Sequence, residues 1–484
     1  MTWEPELDEL KRRQELARRM GGPEGIARQR KRGKLTVRER IDLLADEGSF
    51  RETGILAGSA TYEGNRLATF TPKGNVQGMC KLDGRNVMVS AGDFTVRGGS
   101  GGGSFGSLGM ESSPTQRALE WRIPYIRLLD SAGGSVKGFE TLGRTYLPDG
   151  NSMAVTDASL LNKVPVVSAV LGSVAGGPAV NACMSHFSLM VKGISHLFPG
   201  GPPVVKAALN YDITKEELGG EQIHVHGSGV IDNLAETEED AMKMIRCFLS
   251  FLPSNVWEMA PRTDVNDSAS RQDKELSTII PRTKNMPYDV YEILKRVLDR
   301  DSFFEIAPLY GQSRITGLAR VNGYTVGIMA NNPMHLGGAT DVAGGNKVIR
   351  LVQLCDTFNF PLVSFADEPG FMIGLEAEKQ GIERAGARLV WTICESRMPF
   401  ITIVMRQLFG VAGQCHHRPT GMFRRYAWPS AAWGSMHIEG GASAAYRREI
   451  DTAPDPEAKR LEIEARLNAV ASPFRTAEAT YQDI

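Results

Sequence analysis

The chain has 484 residues, with 55 basic and 56 acidic side chains and a formal net charge of −1 at pH 7. Because this length exceeds the size at which a single hydrophobic core stops growing, we expect two domains. The balanced charge creates no global electrostatic field, so neither nucleic acid nor a membrane surface is expected as a partner.

The cysteines and the N-terminus point to a reducing compartment. The six cysteines show no CxxC and no paired spacing, so we expect neither a metal site nor a disulfide framework. The first twenty residues contain no apolar segment of the kind that a secretory signal requires. We therefore expect a cytoplasmic protein.

Charged helical sequence opens the chain and includes the basic run Arg28–Lys34 (RQRKRGK). Such a run is most often a solvated helix face, and its functional alternative is contact with a phosphate-rich ligand. We expect a helix that begins after Thr36, because Thr36 can cap it and Glu39 follows three residues later. The apolar residues of this helix come after Glu39. Short β-type runs come next, separated by turns such as Asp83-Gly84.

Three stretches then share one design, in which an apolar strand runs into a turn of small residues. They are residues 86–103, 124–138 and 164–179, with helical sequence between them. This alternation predicts an α/β architecture whose strands are buried on both faces. The uncharged stretch between Lys163 and Lys192 is long enough to span a bilayer. Its prolines and glycines favour a buried strand followed by a buried helix instead.

The same series repeats in residues 325–340, 361–371 and 398–414. Asp130 and Gly176 are 46 positions apart (176 − 130), as are Asp367 and Gly413 (413 − 367). Two homologous domains are therefore predicted, spanning residues 1–260 and 288–484. The polar residues 261–287 between them resemble a linker.

Several motifs invite functional readings that their context does not support. Gly98–Gly103 lacks the spacing of a nucleotide phosphate loop, which leaves a flexible turn and a ligand-contact loop as alternatives. Ala241–Met244 (AMKM) resembles the lysine motif of biotin carrier domains, but its apolar spacing and acidic first turn favour a helix. The pairs His224/His226 and His416/His417 lack metal-ligand spacing, so no metal is expected.

Strand-to-helix turns carry the remaining chemical signal, one at Gly176-Gly177 and one at Gly410–Ala412. Glycine permits positive φ there and lets free N–H groups approach a negative atom, so we expect two backbone oxyanion sites. Asp130, Asp367 and Glu368 at strand ends are acid/base candidates or, more commonly, braces for the turns. Such a site suits thioester chemistry in which an enolate is stabilised and a cofactor brings its own base.

Seven sequence blocks, taken in order, resemble those of the carboxyltransferase (β) subunits of biotin-dependent acyl-CoA carboxylases, the propionyl-CoA carboxylase-like group. The blocks are GKLTVRERIDLLADEGSF, LLDSAGGS, AGGPAV, ANNPMHLGGATD, CDTFNFPLVSFADEPGF, GIERAGA and AYRREI. The resemblance covers almost the full length. It implies two crotonase-like (ClpP/crotonase) domains, each a β-β-α superhelix. It also implies a homohexamer with active sites between the N-domain of one subunit and the C-domain of another.

The resemblance implies a mechanism and partners as well. Carboxybiotin releases CO₂, the ureido anion of biotin removes the α-proton of an acyl-CoA, and the thioester enolate attacks CO₂. Biotin would arrive on a separate biotin carboxylase/biotin carboxyl carrier (α) subunit, because this sequence has no carrier domain. The N-terminal domain would bind the acyl-CoA and the C-terminal domain the biotin.

Site residues carry over position by position. Gly176 and Gly177 resemble the oxyanion hole for the thioester carbonyl, and Val411 and Ala412, after Gly410, resemble the hole for the ureido oxygen. Substrate contacts are implied for Gly133, Gly134, Gln414 and His416. Contacts with biotin are implied for Phe409, Gly413, Gly370 and Phe371.

Two departures from the family pattern leave the acyl acceptor open. The family's second turn commonly reads YGGAYD, whereas this chain has FGVAGQ with Gln414 at the position of the acid. The family's SGGARIQEG is replaced by SAGGSVKGFE. Propionyl-CoA-like, acetyl-CoA and 3-methylcrotonyl-CoA acceptors remain alternatives, the last carboxylated at the γ-carbon. A decarboxylase or transcarboxylase subunit and an inactive ring scaffold also remain, although intact glycine turns in both halves argue against the scaffold.

Overall fold

The computed structural model describes residues 2–100, 113–134, 136, 139–140, 143–145, 154–265, 267–283, 286–418, 420–480 and 482–484. The last part of the predicted glycine loop, Gly101–Gly103, lies outside these residues, as do Ser135, Lys137 and Gly138 of the SAGGSVKGFE segment. The chain divides into two compact units, Met1–Met259 and Ala260–Ile484. Each unit has its own central sheet.

Parallel pairing dominates the sheet of the first unit. Its strands are β1 (Arg51–Glu52), β4 (Asn75–Leu82), β5 (Arg85–Gly92), β6 (Tyr125–Ser131), β7 (Val166–Ala175), β8 (Phe187–Val191), β9 (His196–Phe198) and β10 (Asn233–Ala235); β2 (Gly58–Glu63) and β3 (Arg66–Pro72) form a separate hairpin. The described strands follow the order β1-β4-β5-β6-β7-β8-β10, with β9 paired to the end of β7. Strands β5 to β8 are parallel. The uncharged and largely buried β7 lies between β6 and β8, as expected for a strand covered on both faces.

The sheet of the second unit repeats this plan. Its strands are β11 (Phe304–Glu305), β12 (Arg314–Val321), β13 (Tyr324–Asn331), β14 (Leu362–Glu368), β15 (Phe400–Phe409), β16 (Phe423–Ala427) and β17 (Ala432–Gly434). Among described residues their order is β11-β12-β13-β14-β15-β16, with β17 paired to the end of β15. Each unit opens with an antiparallel pair joined by a tight turn, Asp83-Gly84 in the first and Asn322-Gly323 in the second, all with positive φ.

Helices flank both sheets. In the first unit they are Glu4–Arg18, Gly22–Lys31, Val37–Leu44, Pro114–Trp121, Ala154–Leu161, Gly177–Cys183, Pro202–Leu209, Lys215–Gly219 and Glu238–Ser250, with a 3₁₀ turn at Arg97–Gly99 and a π-helical turn at Gln222–Gly227. In the second they are Leu276–Ile279, Val290–Val297, Val342–Phe358, Leu375–Lys379, Ile382–Glu395, Ile438–Ala445, Arg447–Asp451, Pro456–Asn468 and Pro473–Ala479, with 3₁₀ turns at Leu336–Gly338 and Val411–His416.

Local sequence signals explain two of these helices. Thr36 and Glu39 form the expected capping box at the start of helix Val37–Leu44. Ala241–Met244 lies inside helix Glu238–Ser250, where Met242 is buried. The AMKM tetrapeptide is therefore a helix segment, not a biotinylated hairpin. No helix in the described ranges has both the length and the apolar character that crossing a bilayer demands.

The topology confirms the repeat, and the two spacings agree to within three residues. Ser131 pairs with Val174 in the first unit, and Glu368 pairs with Leu408 in the second. The glycines two residues after these partners, Gly176 and Gly410, are therefore equivalent. The sequence spacing pointed to Gly413, three positions later, because the connection between the two strands is three residues shorter in the second unit.

Residues 261–287, which resemble a linker in sequence, pack on the second unit where the structure describes them. Thr263 N–H donates to Gly323 O at 3.1 Å. Leu276, Ile279 and Ile280 contact the core cluster that contains Ile293 and Ile328. The contact-based division of the chain accordingly falls before this segment, at residue 260.

Candidate active site

The first glycine turn lies where β7 ends and helix Gly177–Cys183 begins. Gly176 has φ 67° and ψ −131°, a combination that is strained for any residue with a Cβ. Its own N–H donates to Phe198 O at 3.2 Å. Gly177 is the first helical residue, so its N–H has no acceptor within the helix, and Pro178 has no N–H at all. The turn thus presents the Gly177 N–H, and Gly176 serves as the hinge that aims it.

Gly133 and Gly134 are brought to this turn. A Cβ on Gly133 would lie 2.6 Å from Ala175 O, so only glycine allows this loop to lie against the end of β7. Gly133 also has φ 78°, and its N–H donates to Ser131 Oγ at 3.2 Å. Gly134 is exposed and a Cβ there would meet nothing within 4 Å. A Cβ on Gly177 would likewise meet nothing within 4 Å, so open space adjoins this residue, as a ligand site requires.

The second glycine turn lies between β15 and the 3₁₀ turn Val411–His416. Gly410 has φ 66° and ψ −164°, and its N–H donates to Gly434 O at 3.0 Å. The first 3₁₀ bond runs from Gly413 N–H to Gly410 O at 3.1 Å. The N–H groups of Val411 and Ala412 precede it and have no acceptor within the turn. This turn presents two donors where the first presents one, because Ala412 occupies the position of Pro178.

A cavity of about 510 Å³ adjoins the second turn. Gln414 is exposed and lines it together with His417. The other lining residues are Val404, Leu408, Gly410, Gly413, Arg425, Trp433, Gly434, Thr476, Thr480 and Gln482. Gln414 and Gly413 therefore share one opening, with mixed polar and aromatic walls.

Phe409, Phe371 and Gly370 all make contacts within the second unit. Phe409 is buried, and its ring centroid is 4.1 Å from that of His437. Phe371 packs on the helix Ile382–Glu395, because a Cβ on Gly386 would lie 2.8 Å from its ring. Gly370 has φ 139° and its O accepts the Thr340 N–H at 3.0 Å.

Beneath this turn, the buried carboxylate of Glu368 ties several loops together. Its Oε2 accepts hydrogen bonds from Thr340 at 2.5 Å and from Asn331 and Arg314 at 3.0 Å. Its Oε1 accepts the Gly370 N–H at 3.1 Å. Burial raises the carboxyl pKa, but the contact with His416, the Arg314 charge and the Thr340 hydroxyl outweigh burial, and the Glu368 pKa lies below its usual value. The carboxylate is therefore ionised and holds the loops that follow β13 and β14.

His416 belongs to this buried network, and its contact with substrate stays a prediction. The side chain is 0% exposed. Its Nδ1 lies 2.7 Å from Ser364 Oγ, and its Nε2 lies 3.2 Å from the Arg314 guanidinium. Burial and the Arg314 charge lower the His416 pKa to about 4, so Nε2 accepts from Arg314 and Nδ1–H donates to Ser364. His417, not His416, faces the cavity.

Sequence reasoning missed Arg314, the cation at the centre of this network. Arg314 is 0% exposed, and its Nε and Nη2 have no hydrogen-bond partner in the described structure. The signal in the sequence is an arginine at the start of the β-type run RITGLARV, in which Arg320 is the one other charged residue.

The two strand-end aspartates brace the units. Asp130 is buried and pairs with Lys34 at 2.7 Å and Arg40 at 3.1 Å. Asp367 is buried and pairs with Arg406 at 2.9 Å. Neither carboxylate is open to solvent, so both act as braces and not as acid/base groups. Where side chains are described, no three His, Cys, Asp or Glu residues converge as metal ligands.

Comparison with known proteins places this geometry in a family. The family model for the carboxyl transferase domain matches residues 28–484. The chain belongs to this family. Over 487 residues it is 36% identical to the propionyl-CoA carboxylase carboxyltransferase subunit of Haloferax mediterranei, covering 100% of this chain and 93% of that protein. It is 34% identical over 494 residues to the biotin-dependent acetyl-/propionyl-coenzyme A carboxylase beta5 subunit of Mycobacterium tuberculosis, covering 99% and 88%.

Comparison with solved structures leads to the same family as comparison with the sequence relatives. The crystal structure of the transcarboxylase 12S hexamer with methylmalonyl-coenzyme A and methylmalonic acid bound matches with a TM-score of 0.88 and 32% identity. The match covers 100% of this chain and 92% of that one. The two crotonase-like domains are thereby confirmed. The protein is a carboxyltransferase of the biotin-dependent carboxylase/transcarboxylase family. The Mycobacterium tuberculosis relative is named as biotin-dependent, and the transcarboxylase 12S structure holds methylmalonyl-coenzyme A.

Proposed function

We propose that this carboxyltransferase subunit moves a carboxyl group from biotin to the α-carbon of a short, propionyl-CoA-like acyl-CoA. One observation carries the proposal: each homologous unit ends its central strand in a strained glycine turn that presents unbonded backbone N–H groups. Two such turns suit a reaction in which two carbonyl oxygens become negatively charged.

The turn of the first unit fits the thioester. The Gly177 N–H would donate to the thioester oxygen as the enolate forms, and Gly133 and Gly134 would border the acyl group. A single oxyanion-hole donor is worth about 3 kcal/mol of transition-state stabilisation, because it is already aimed at the developing charge. Gly176 contributes by its conformation, since its N–H is already bonded to Phe198 O.

The residues of the second unit fit the ureido group of biotin. A carbonyl oxygen has two lone pairs, and the N–H groups of Val411 and Ala412 form a matching pair of donors. The cavity beside Gly410 and Gly413 offers space for a ring. When bound as carboxybiotin, the cofactor supplies CO₂ and the base for the α-proton. Phe409, Gly413, Gly370 and Phe371 would contact the bound biotin.

Partners and assembly follow from the relatives. We propose a biotin carboxylase/biotin carboxyl carrier (α) subunit as the source of biotin. We also propose a homohexamer, since the transcarboxylase 12S neighbour is described as a hexamer. The acyl acceptor is proposed from the relatives whose names include propionyl-CoA. Gln414 lines the cavity as an uncharged side chain at the position where the family's second turn commonly carries an acid.

The test is a carboxylation assay against a panel of acyl-CoAs. Purified protein is combined with a biotin carboxylase/carrier partner, ATP and bicarbonate, and then with acetyl-, propionyl-, butyryl- and 3-methylcrotonyl-CoA. We expect the highest kcat/KM with propionyl-CoA. Carboxylation of none of the thioesters would leave only a scaffold role. A preference for 3-methylcrotonyl-CoA would move the reaction to the γ-carbon.

A further inference from the structure

Each glycine turn leads into a short helical segment whose first residues carry the proposed donors. In the first unit the segment is helix Gly177–Cys183, and in the second it is the 3₁₀ turn Val411–His416. The glycine before each segment is held by its own N–H, which donates to a carbonyl of a short neighbouring strand at 3.2 Å and 3.0 Å. A segment held only at that end could still rotate about the flexible glycine. The direction of the donors therefore depends on what holds the far end.

Arg127 holds the far end of the segment in the first unit. Its Nη1 donates to Asn181 O at 3.0 Å and to Met184 O at 2.8 Å. The last carbonyls of a helix have no partner within the helix, so the guanidinium satisfies groups that the helix itself leaves unbonded. Nη2 of the same side chain pairs with Asp157 at 2.9 Å, and both side chains are buried. The helix end is thus tied to a neutralised pair inside the unit.

His416 is the far end of the segment in the second unit, and two hydrogen bonds hold it. Its Nδ1–H donates to Ser364 Oγ at 2.7 Å, and its carbonyl accepts from Thr402 Oγ1 at 2.7 Å. All three residues are 0% exposed. Water does not compete for these bonds, which are therefore stronger than they would be at the surface.

The side chains that hold the two segments occupy one position of the repeat. Arg127 on β6 pairs in register with Ser168 on β7, and Ser364 on β14 pairs with Thr402 on β15. Ser168 and Thr402 each precede the glycine of their turn by eight positions (176 − 168 and 410 − 402). The arginine reaches the segment directly, and the serine reaches it through the imidazole. Two different chemistries at equivalent places therefore hold equivalent segments.

The hydroxyl on the central strand is used in only one of the two units. Thr402 Oγ1 donates to the carbonyl of His416, as described above. Ser168 is also 0% exposed, but its Oγ has no hydrogen-bond partner among the residues that the structure describes. The first unit relies on its arginine instead, and its buried serine hydroxyl contributes nothing to the hold.

We infer that these buried side chains are positioning residues for the two sets of backbone donors. Arg127 aims the Gly177 N–H. Ser364 and Thr402 act through His416 and aim the donors of the second turn. Each acts through the backbone of a helical segment and not by contact with the reacting atoms. The inference rests on the proposed function, in which those donors stabilise two oxyanions.

The variants are chosen so that no buried charge is left without a partner. Thr402→Val removes one hydroxyl, and Ser168→Ala removes the unbonded hydroxyl at the equivalent position, which makes it the matched control. In the first unit Arg127→Met is combined with Asp157→Leu, because either change alone would strand a buried charge. Arg127→Lys is the rescue variant, since lysine keeps the charge and a donor but not the planar fork.

Amide hydrogen exchange of the free protein reads the two segments separately. The reporters are the first N–H groups that are bonded within each segment. Ala179 N–H donates to Gly176 O at 3.0 Å, and Gly413 N–H donates to Gly410 O at 3.1 Å. Exchange at these groups requires the segment to open, so a segment that loses its hold at the far end exchanges faster.

We expect exchange to become about tenfold faster in residues 177–184 of the double variant and in residues 411–417 of Thr402→Val, since a stabilising hydrogen bond is lost each time. In each case the other segment should keep its wild-type rate, and Ser168→Ala should change neither. Unchanged exchange in both segments, or an equal change in both, would overturn the inference. Exchange requires no catalysis, so it decides the inference even if wild type carboxylates nothing, a result that would count against the proposed function alone.

Kinetics of carboxyl transfer to propionyl-CoA separate positioning from a purely structural role. We expect kcat to fall about tenfold or more in Thr402→Val and in the double variant, because a displaced donor no longer meets the developing charge. KM for propionyl-CoA should stay within about twofold of wild type, and Arg127→Lys should recover part of kcat. A Thr402→Val protein that melts earlier but keeps the kcat of Ser168→Ala would show a structural role only and would contradict the inference.

Discussion

Replacing Gly410 by alanine tests the backbone conformation of the second turn without crowding it. Gly410 has φ 66° and ψ −164°, which glycine adopts freely and alanine does not. An added Cβ would meet nothing nearer than Ser435 O at 3.8 Å, an ordinary van der Waals distance. Any effect of Gly410→Ala must therefore come from the dihedral angles.

The expected effect of Gly410→Ala on stability and on kcat follows from two limiting cases, one in which the turn keeps its shape and one in which it relaxes. If the turn keeps its shape, alanine adds strain of about 1–3 kcal/mol, and the melting temperature falls by a few degrees for a unit of this size. If the turn relaxes, the N–H groups of Val411 and Ala412 rotate away from their target. Loss of one oxyanion donor lowers kcat by about 10²–10³. We expect kcat to fall at least about 100-fold while the protein stays folded.

The assay is carboxyl transfer to propionyl-CoA, measured together with thermal unfolding and oligomer size. Gly413→Ala is the matched control for stability, because Gly413 has no positive φ and its added Cβ would lie 3.4 Å from Leu408 Cγ, within ordinary contact range. We expect a near-native melting temperature for this control. Wild-type kcat in Gly410→Ala would refute the reasoning, since the donors would then not depend on the turn.

Three further outcomes follow from the same structure. Glu368→Gln is expected to lower the free energy of unfolding by about 3–5 kcal/mol, because the fully buried Arg314 charge loses its counterion. Denaturant titration measures this free energy. The control is Glu376→Gln at an exposed site, which should leave the free energy of unfolding unchanged. The pKa of His416 lies at about 4 against an ordinary 6.5, so the unfolded chain binds more protons between these values and stability should fall as pH falls through them. His416→Asn is expected to reduce that slope by up to about 1.4 kcal/mol per pH unit, and an unchanged slope would contradict the buried neutral ring. Gln414→Asp is expected to change the ratio of kcat/KM for propionyl-CoA over acetyl-CoA, because the side chain lines the cavity beside the second turn; an unchanged ratio would exclude a role in acceptor choice.

Sequence patterns were sufficient for the repeated α/β fold, since apolar strands that end in small-residue turns are visible without coordinates. They placed the turn glycines at Gly176 and Gly410 correctly. Counting residues matched the two halves only to within a few positions, because a three-residue difference in the connection between strands leaves no local signature. Long-range pairing, Ser131 with Val174 and Glu368 with Leu408, fixed the exact register.

Hydrogen-bond partners and the burial of individual side chains could not be predicted from the sequence. The dipeptide Gly176-Gly177 suggests two donors, yet Gly176 N–H is bonded to Phe198 O and only the Gly177 N–H remains. Similarly, His416 and His417 are adjacent, and only the path of the 3₁₀ turn decides that the first is buried and the second lines the cavity. These details depend on where a strand elsewhere in the unit supplies a carbonyl or an arginine.

The central claim is that this chain alone supplies the donors for carboxyl transfer between a CoA thioester and biotin. The reverse reaction tests it most directly, because it needs no partner subunit: purified protein is incubated with methylmalonyl-CoA and free biotin, and propionyl-CoA is measured. We expect propionyl-CoA release that depends on biotin and that is lost in Gly177→Val, whose added Cβ projects into open space and should leave the fold intact. No biotin-dependent release by wild type, or equal release by Gly177→Val, would contradict the account.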